Sequence, residues 1–251
     1  MRFDGVEIKV TLGREQTGPA VQELGLPPQQ PWQIWFWEDV TPGSGLGTPL
    51  LDLGVILRAR DKAGDDDATI KLRPCRRSQL TDHWLAAEKG KTDDGDEWTL
   101  EVEADWSGDR RLLAVSHTCE RPGDLVREAG SGDRPVEDLF AREQLDFLRD
   151  CEGTAINFAT LTALSPVTAT RWKSVAAAPA HLGVRAERWT VGDLDFLELS
   201  VVADLAEARE KQAALTGFVR SLSLPDQPAA QPESKTRQVL EHLVALAAET
   251  R

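Results

Sequence analysis

Residues of alternating polarity recur along most of the chain, in short segments separated by turn-forming residues. Because successive side chains of a strand point to opposite faces of a sheet, this period of two predicts β-strands. Short polar connections such as KAGDDD at 62–67 are typical of hairpins. The predicted strands cover residues 6–12, 33–39, 55–61, 68–73, 98–106, 110–121, 157–164, 167–175, 186–191 and 195–203.

Apolar residues at helical spacing predict several helices between and after these strands. The clearest is amphipathic and closes the chain, after a segment rich in proline. Strands in hairpins with helices between them favour an α+β domain, in which an antiparallel sheet or barrel has its helices packed outside. The predicted helices cover residues 18–26, 80–88, 135–153, 204–222 and 235–250.

The proline-rich segment divides the chain into three parts. We expect a main domain over residues 1–224, a linker over 225–234 and a C-terminal amphipathic helix over 235–251. The apolar stripe of that helix needs a partner, and the sequence leaves two open: a second copy in a homodimer, or the rest of the same chain under an intramolecular lid.

Composition narrows the function classes. The formal net charge of −13 over 251 residues argues against general affinity for double-stranded nucleic acid or for an anionic membrane surface. A local basic pocket is still compatible with that charge. Three widely spaced cysteines without a CxxC pair favour reduced thiols, and no signal peptide or apolar run of about 20 residues is evident, so we expect a cytoplasmic protein.

Charged residues on the predicted strands alternate with apolar ones, and the strands differ in sign. Strands 55–61 and 68–73 are cationic, whereas 98–106 is anionic. One interpretation is a sheet with its charged face in water. The other is a closed sheet whose charged face lines a lumen, where the cations surround a polyanion and the carboxylates hold a divalent metal. Like charges on paired strands destabilise each other, so four cations on one hairpin need anions to offset them.

In this order, the charged strands resemble the CYTH domain, the triphosphate tunnel metalloenzyme superfamily, over roughly residues 3–222. GVEIK at 5–9 is similar to the family's Glu-x-Glu-x-Lys strand, and LRAR and TIKLRP to its paired basic strands. LEVEAD, ATRWKS and FLELS are similar to later strands of the family. The resemblance implies an eight-stranded antiparallel tunnel with helices packed outside.

The same resemblance implies the site residues. It gives catalytic roles to Glu7 and Lys9, with Mg²⁺ or Mn²⁺ as cofactor and metal-assisted attack of water on a terminal phosphorus. The metal would be held by Glu7 and Glu198, assisted by Glu101 or Glu103. The triphosphate ligand would be bound by Lys9, Arg58, Arg60, Lys71, Arg73, Arg171 and Lys173.

Two positions depart from the family pattern. Gly5 stands where the first glutamate of the motif is expected, and Ser200 stands at the second acidic position of the closing strand. Two hypotheses therefore stay open. One is a metal-dependent triphosphatase acting on inorganic tripolyphosphate or an organic triphosphate. The other is a catalytically degenerate protein of the same fold that binds polyphosphate or a nucleotide.

Overall fold

The computed structural model describes residues 3–40, 47–153, 155–225 and 234–249. Most of the predicted loop at 41–49 and of the proline-rich linker lies outside these residues. No helix within the described residues is long and apolar enough to cross a membrane.

Eleven strands form one sheet within the described residues. They are β1 (Gly5–Leu12), β2 (Trp32–Asp39), β3 (Val55–Asp61), β4 (Asp67–Leu72), β5 (Lys89–Lys91), β6 (Glu97–Ser107), β7 (Arg110–Glu120), β8 (Leu161–Ala163), β9 (Val167–Trp172), β10 (Arg185–Val191) and β11 (Leu194–Ala203).

Nine of these strands close into a barrel in the order β1-β11-β10-β9-β2-β3-β4-β7-β6, and β6 returns to β1. The short strands β5 and β8 pair outside this ring, on β6 and β2. The expected α+β barrel is therefore present, but with nine strands instead of eight. A ring of nine cannot be antiparallel throughout, because the direction would have to reverse an odd number of times. The β1–β6 pair is the parallel one.

The described helices are α1 (Arg14–Glu23), α2 (Pro49–Asp52), α3 (Asp82–Ala86), α4 (Gly123–Ser131), α5 (Arg142–Glu152), α6 (Ala208–Arg220) and α7 (Lys235–Glu249). The helix predicted over 135–153 is divided, because a 3-10 turn at Val136–Leu139 precedes α5. Neither α4 nor α2 was predicted.

Two apolar layers cover the outer face of the barrel. Phe147 of α5 and Val126 of α4 pack on the β3, β4, β6 and β7 side, among residues such as Ile70 and Leu100. Leu215 of α6 and Ala20 of α1 pack with their neighbours on the β1 and β11 side. These layers use the apolar face that alternation predicted, and they turn the charged face inward.

Helix α7 lies differently, because it packs on the inward face of the barrel. Val239, Leu240, Leu243 and Val244 are all buried. They contact an apolar set on the inner face that we call the apolar half of the tunnel: Ile34, Phe36, Ile56, Val167, Ala169, Trp189 and Phe196. Of the two partners that the sequence left open for this stripe, a second copy or the same chain, the structure shows the same chain.

Candidate functional site

The other half of the lumen is a charged chamber of about 350 Å³. The chain as a whole is acidic, yet cations outnumber carboxylates along this wall. The described cations that line it are Lys9, Arg58, Arg60, Lys71, Arg73, Arg110, Arg171, Arg185 and Lys235, and the carboxylates are Glu7, Glu101, Glu103, Asp105, Glu187 and Glu198. Threonine and serine hydroxyls, among them Thr69 and Ser116, lie between them.

The basic hairpin forms as the sequence predicts. β3 and β4 pair antiparallel, with Arg58 opposite Thr69 and Arg60 opposite Asp67. Period-two alternation sends Arg58, Arg60 and Lys71 inward, because Leu57 and Ile70 are needed by the outer apolar layer. Arg73, just beyond β4, also lines the chamber.

Several of these cations already have carboxylate partners. The Arg60 guanidinium donates two hydrogen bonds to Asp67, at 2.8 and 2.7 Å. Arg73 Nη1 donates to Asp105 Oδ2 at 2.8 Å. Lys9 Nζ lies 2.7 Å from Glu7 Oε2 and 3.4 Å from Asp105 Oδ2. These pairs fix one wall of the chamber and offset much of its charge.

Lys71 and Arg58 are different. Among the described residues, no carboxylate lies within ion-pair distance of either side chain. Burial, with repulsion from Lys9 and Arg73, lowers the pKa of Lys71 to about 8. Burial, with repulsion from Arg60, lowers the pKa of Arg58 to about 10; its Nη2 donates to Thr69 at 3.2 Å, but its Nε has no partner among the described residues. An anion bound in the chamber would stabilise the charged form of both side chains.

The carboxylates fall into two kinds. Burial works against ionisation of Asp105 and Glu7, but neighbouring cations, Lys9 foremost, outweigh it and hold both pKa values below their usual range. Glu103 is the opposite case, because burial and repulsion from Glu7 raise its pKa to about 7. A raised carboxyl pKa marks a position where an additional cation would be stabilising.

The donor set suits a hard divalent cation only in part. Within the described residues, no three His, Cys, Asp or Glu side chains come together as a ready-made metal site. Mg²⁺, however, commonly keeps several waters and binds through one or two carboxylates together with substrate phosphates. Glu103 and Glu7 meet that lesser requirement, since both line the chamber and their ionised forms repel each other. The residues therefore fit a sparsely held Mg²⁺ or Mn²⁺ ion, not a protein cage of carboxylates.

The first residues of α7 close the chamber on the side of the apolar half. Lys235 Nζ lies 3.3 Å from Glu198 Oε1, 3.5 Å from Glu187 Oε1 and 4.0 Å from the centroid of the Trp189 ring. Ser234 Oγ accepts a hydrogen bond from Arg73 Nη2 at 3.2 Å. The C-terminal helix thus contributes directly to the charged wall.

The structure brings together all but one of the residues that the resemblance implied. Lys173 is exposed and lies just past the end of β9, in a shallow pocket outside the chamber beside Trp172 and Pro27. Arg171 lines both that pocket and the chamber. β9 ends at Trp172, so the alternation expected to continue to Lys173 does not.

Sequence reasoning left five charged lining residues without a role: Asp105, Arg110, Arg185, Glu187 and Lys235. Asp105 lies on the same face of β6 as Glu101 and Glu103, and the sequence alternation already indicates this. Glu187 was hidden because the opposite face of β10 is also charged, where Arg188 forms an ion pair with Asp195 at 2.7 Å. Lys235 gave no signal, because alternation within strands says nothing about where a distant helix packs.

No family model matches the chain, and no curated protein matches it. Solved structures do. A "putative adenylate cyclase" from Bacillus halodurans is 13% identical, with 93% of this chain and 96% of that chain covered at a TM-score of 0.54. A "putative adenylyl cyclase" from Hippeastrum, described as having a dominant triphosphatase activity, is 15% identical, with 93% of each chain covered at a TM-score of 0.53. The chain shares the tunnel-like α+β fold of these two proteins.

Proposed function

We propose that the chamber binds a triphosphate and hydrolyses it with the aid of a divalent cation, and that the chain is a member of the CYTH superfamily. The observation that carries this proposal is the cationic wall, in which Lys71 and Arg58 have lowered pKa values and, among the described residues, no carboxylate within ion-pair distance. Buried cations are costly unless an anion pairs with them, so a polyanionic ligand is their natural complement. The fold shared with a protein of described triphosphatase activity supports the same reaction class.

The role that each cation would have in binding depends on whether a carboxylate of the chain already contacts it. Lys71 and Arg58 would bind phosphoryl oxygens most directly, because among the described residues no carboxylate lies within ion-pair distance of either side chain. Arg60, Arg73 and Lys9 are held by Asp67, Asp105 and Glu7, so they would present fixed positive charge to the ligand. Preorganised charge of this kind stabilises the charge that spreads over a phosphoryl group during transfer. Arg171 and Arg185 would extend the wall to a longer or an organic triphosphate.

The metal would be Mg²⁺ or Mn²⁺, held by Glu7 and Glu198 with Glu101 or Glu103 assisting. When bound, it supplies Lewis acidity and activates water. In this chain Lys9 keeps the Glu7 carboxylate ionised and oriented, at 2.7 Å. The substrate is an inorganic tripolyphosphate or an organic triphosphate.

One observation favours the alternative, a protein that binds a triphosphate without hydrolysing it. The described residues contain no cluster of three carboxylates ready for a metal. At the family's first acidic position, Gly5 has a φ of +145°, which side chains rarely adopt. A binding protein needs the cationic wall but not the metal.

The deciding experiment is phosphate release from inorganic tripolyphosphate and a nucleoside triphosphate, with Mg²⁺, with Mn²⁺ and with EDTA. Calorimetric binding of the same compounds runs in parallel. We expect metal-dependent release that Glu7→Gln abolishes and that Lys173→Met, outside the chamber, leaves unchanged. Tight binding without release on any compound would replace the enzyme by the binding protein, and no binding would end both.

A further inference from the structure

Lys235 is an unusual ion-pair partner. Its side chain is 5% exposed, it contacts two carboxylates of neighbouring strands, and its ammonium lies over the Trp189 ring. Glu187 faces Glu198 directly across the β10–β11 ladder. Two carboxylates side by side at this depth repel each other and attract any cation within reach.

We infer that Lys235 is a tethered cation that competes with a divalent metal ion for Glu187 and Glu198. While α7 is seated, the ammonium occupies the space between the two carboxylates. A divalent ion reaches them only when the first turn of α7 withdraws. This rests on the proposed function in one respect, that the tunnel encounters a divalent cation.

The position of Lys235 is fixed from both ends. Behind it, Val239, Leu240 and Leu243 of α7 are buried in the apolar half. Ahead of it, Ser234 Oγ accepts the Arg237 backbone N–H at 3.2 Å, as a helix N-cap does, and also accepts Arg73 at 3.2 Å. A cation held in place by its own chain competes at high effective concentration with ions in solution.

Arg73 links two parts of the chamber wall. Arg73 contacts both Asp105 and Ser234, so it joins the phosphate-binding wall to the start of α7. A ligand that draws Arg73 away would loosen the cap and, with it, Lys235. Glu198 would then become available as a metal ligand when the chamber is filled, and would be held by Lys235 when it is empty.

The test measures Mn²⁺ binding by calorimetry and by electron paramagnetic resonance, without any triphosphate. Lys235→Met should raise Mn²⁺ affinity by about tenfold or more, because the ion no longer displaces a buried charge. Lys235→Gln, which can still donate hydrogen bonds, should show the same direction. Lys235→Arg should behave like the wild type.

Arg237→Met is the matched control on the same helix. It removes a cation that pairs with Asp52 at 2.9 Å, away from the carboxylate pair, and should leave Mn²⁺ affinity unchanged. Adding Glu187→Gln to Lys235→Met should abolish the gain. Thermal melts establish that each variant is folded.

A conservative variant tests the inference even if Lys235 cannot be replaced. In the otherwise wild-type chain without triphosphate, Glu187→Gln should leave Mn²⁺ affinity unchanged, since Lys235 already holds that side chain. A loss would identify Glu187 as a resident metal ligand and overturn the inference, as would an equal gain in Lys235→Met and Arg237→Met. Because no turnover is measured, failure here is separate from failure of the proposed hydrolysis.

Discussion

The charged chamber and the apolar half of the tunnel lie on the same inward face of the same strands, yet they differ in almost every property. On β3, Ile56 belongs to the apolar half, and Arg58, two residues on, belongs to the chamber. On β10 the inward side chains change from Glu187 to Trp189. One half is filled by the chain's own helix, whereas the other is polar and accessible to a ligand.

This difference shows that alternation identifies the faces of a strand but not what covers each face. An inward apolar residue needs a partner as much as an outward one does, and α7 supplies it. The tunnel is therefore closed over its apolar half by residues 235–249. Lys235, in the first turn of α7, contacts both halves: Glu198 in the chamber and the Trp189 ring in the apolar half.

The largest expected effect compares the apolar half with the outer core. Phe147→Ala, in the outer layer, should cost about 3–5 kcal/mol in the free energy of unfolding. Leu243→Ala, in the apolar half, is expected to cost less, about 2–3 kcal/mol, because α7 can undock without unfolding the barrel. Urea denaturation measures both, and Leu205→Ala, 62% exposed, is the near-neutral control. Equal losses would mean that α7 and the barrel unfold as one unit.

The second prediction concerns the chamber. Lys71→Met should weaken tripolyphosphate binding by about ten- to a hundredfold, since the wall loses a cation that no carboxylate of the described residues holds at ion-pair distance. The same change should stabilise the ligand-free protein by about 1–2 kcal/mol, because burial and repulsion from Lys9 and Arg73 disfavour the charged form of Lys71. Calorimetry and thermal melts measure the two effects. Lys173→Met is the matched control, and a similar loss of affinity in that variant would argue against specific binding in the chamber.

The third prediction follows from the pKa of Lys71, which burial lowers from 10.5 to about 8. The ammonium is charged below pH 8 and loses its proton as the pH rises above it, so tripolyphosphate affinity should fall between about pH 8 and 10. In the ligand-free protein the cost of the buried charge is present below pH 8 and is relieved as the pH rises toward 10.5. Calorimetry across this range should show the fall in the wild type and a flatter profile in Lys71→Arg. Identical profiles would exclude Lys71 as its source.

The sequence predicts the charged chamber better than it predicts the apolar half. The barrel, the basic hairpin and the inward direction of Glu7, Lys9, Arg58 and Lys71 follow from alternation, because an outer layer of helices claims the other face. The parallel β1–β6 closure and the seat of α7 depend on contacts between segments far apart in sequence, which no local period encodes. Glu187 was missed for a related reason, since both faces of β10 carry charge and the Arg188–Asp195 pair conceals which is inward.

The smallest expected effect concerns Gly5, the residue of β1 that differs from the CYTH motif that the sequence resembles. With a φ of +145°, and with a Cβ that would lie 3.3 Å from Val202 Cγ1 and 3.4 Å from the Ala203 carbonyl oxygen, any side chain there is strained. Gly5→Ala and Gly5→Glu should each destabilise the protein by about 1–2 kcal/mol.

A glutamate at position 5 would not restore metal binding without cost, because the backbone must first move away from the glycine conformation. Mn²⁺ titration of the two variants separates strain from chemistry: we expect at most about a threefold gain in affinity for Gly5→Glu over Gly5→Ala, since part of the binding free energy is spent on that movement. A gain of tenfold or more without loss of stability would mean that β1 accepts a carboxylate at this position readily, and that the glycine conformation is not what keeps the metal site sparse.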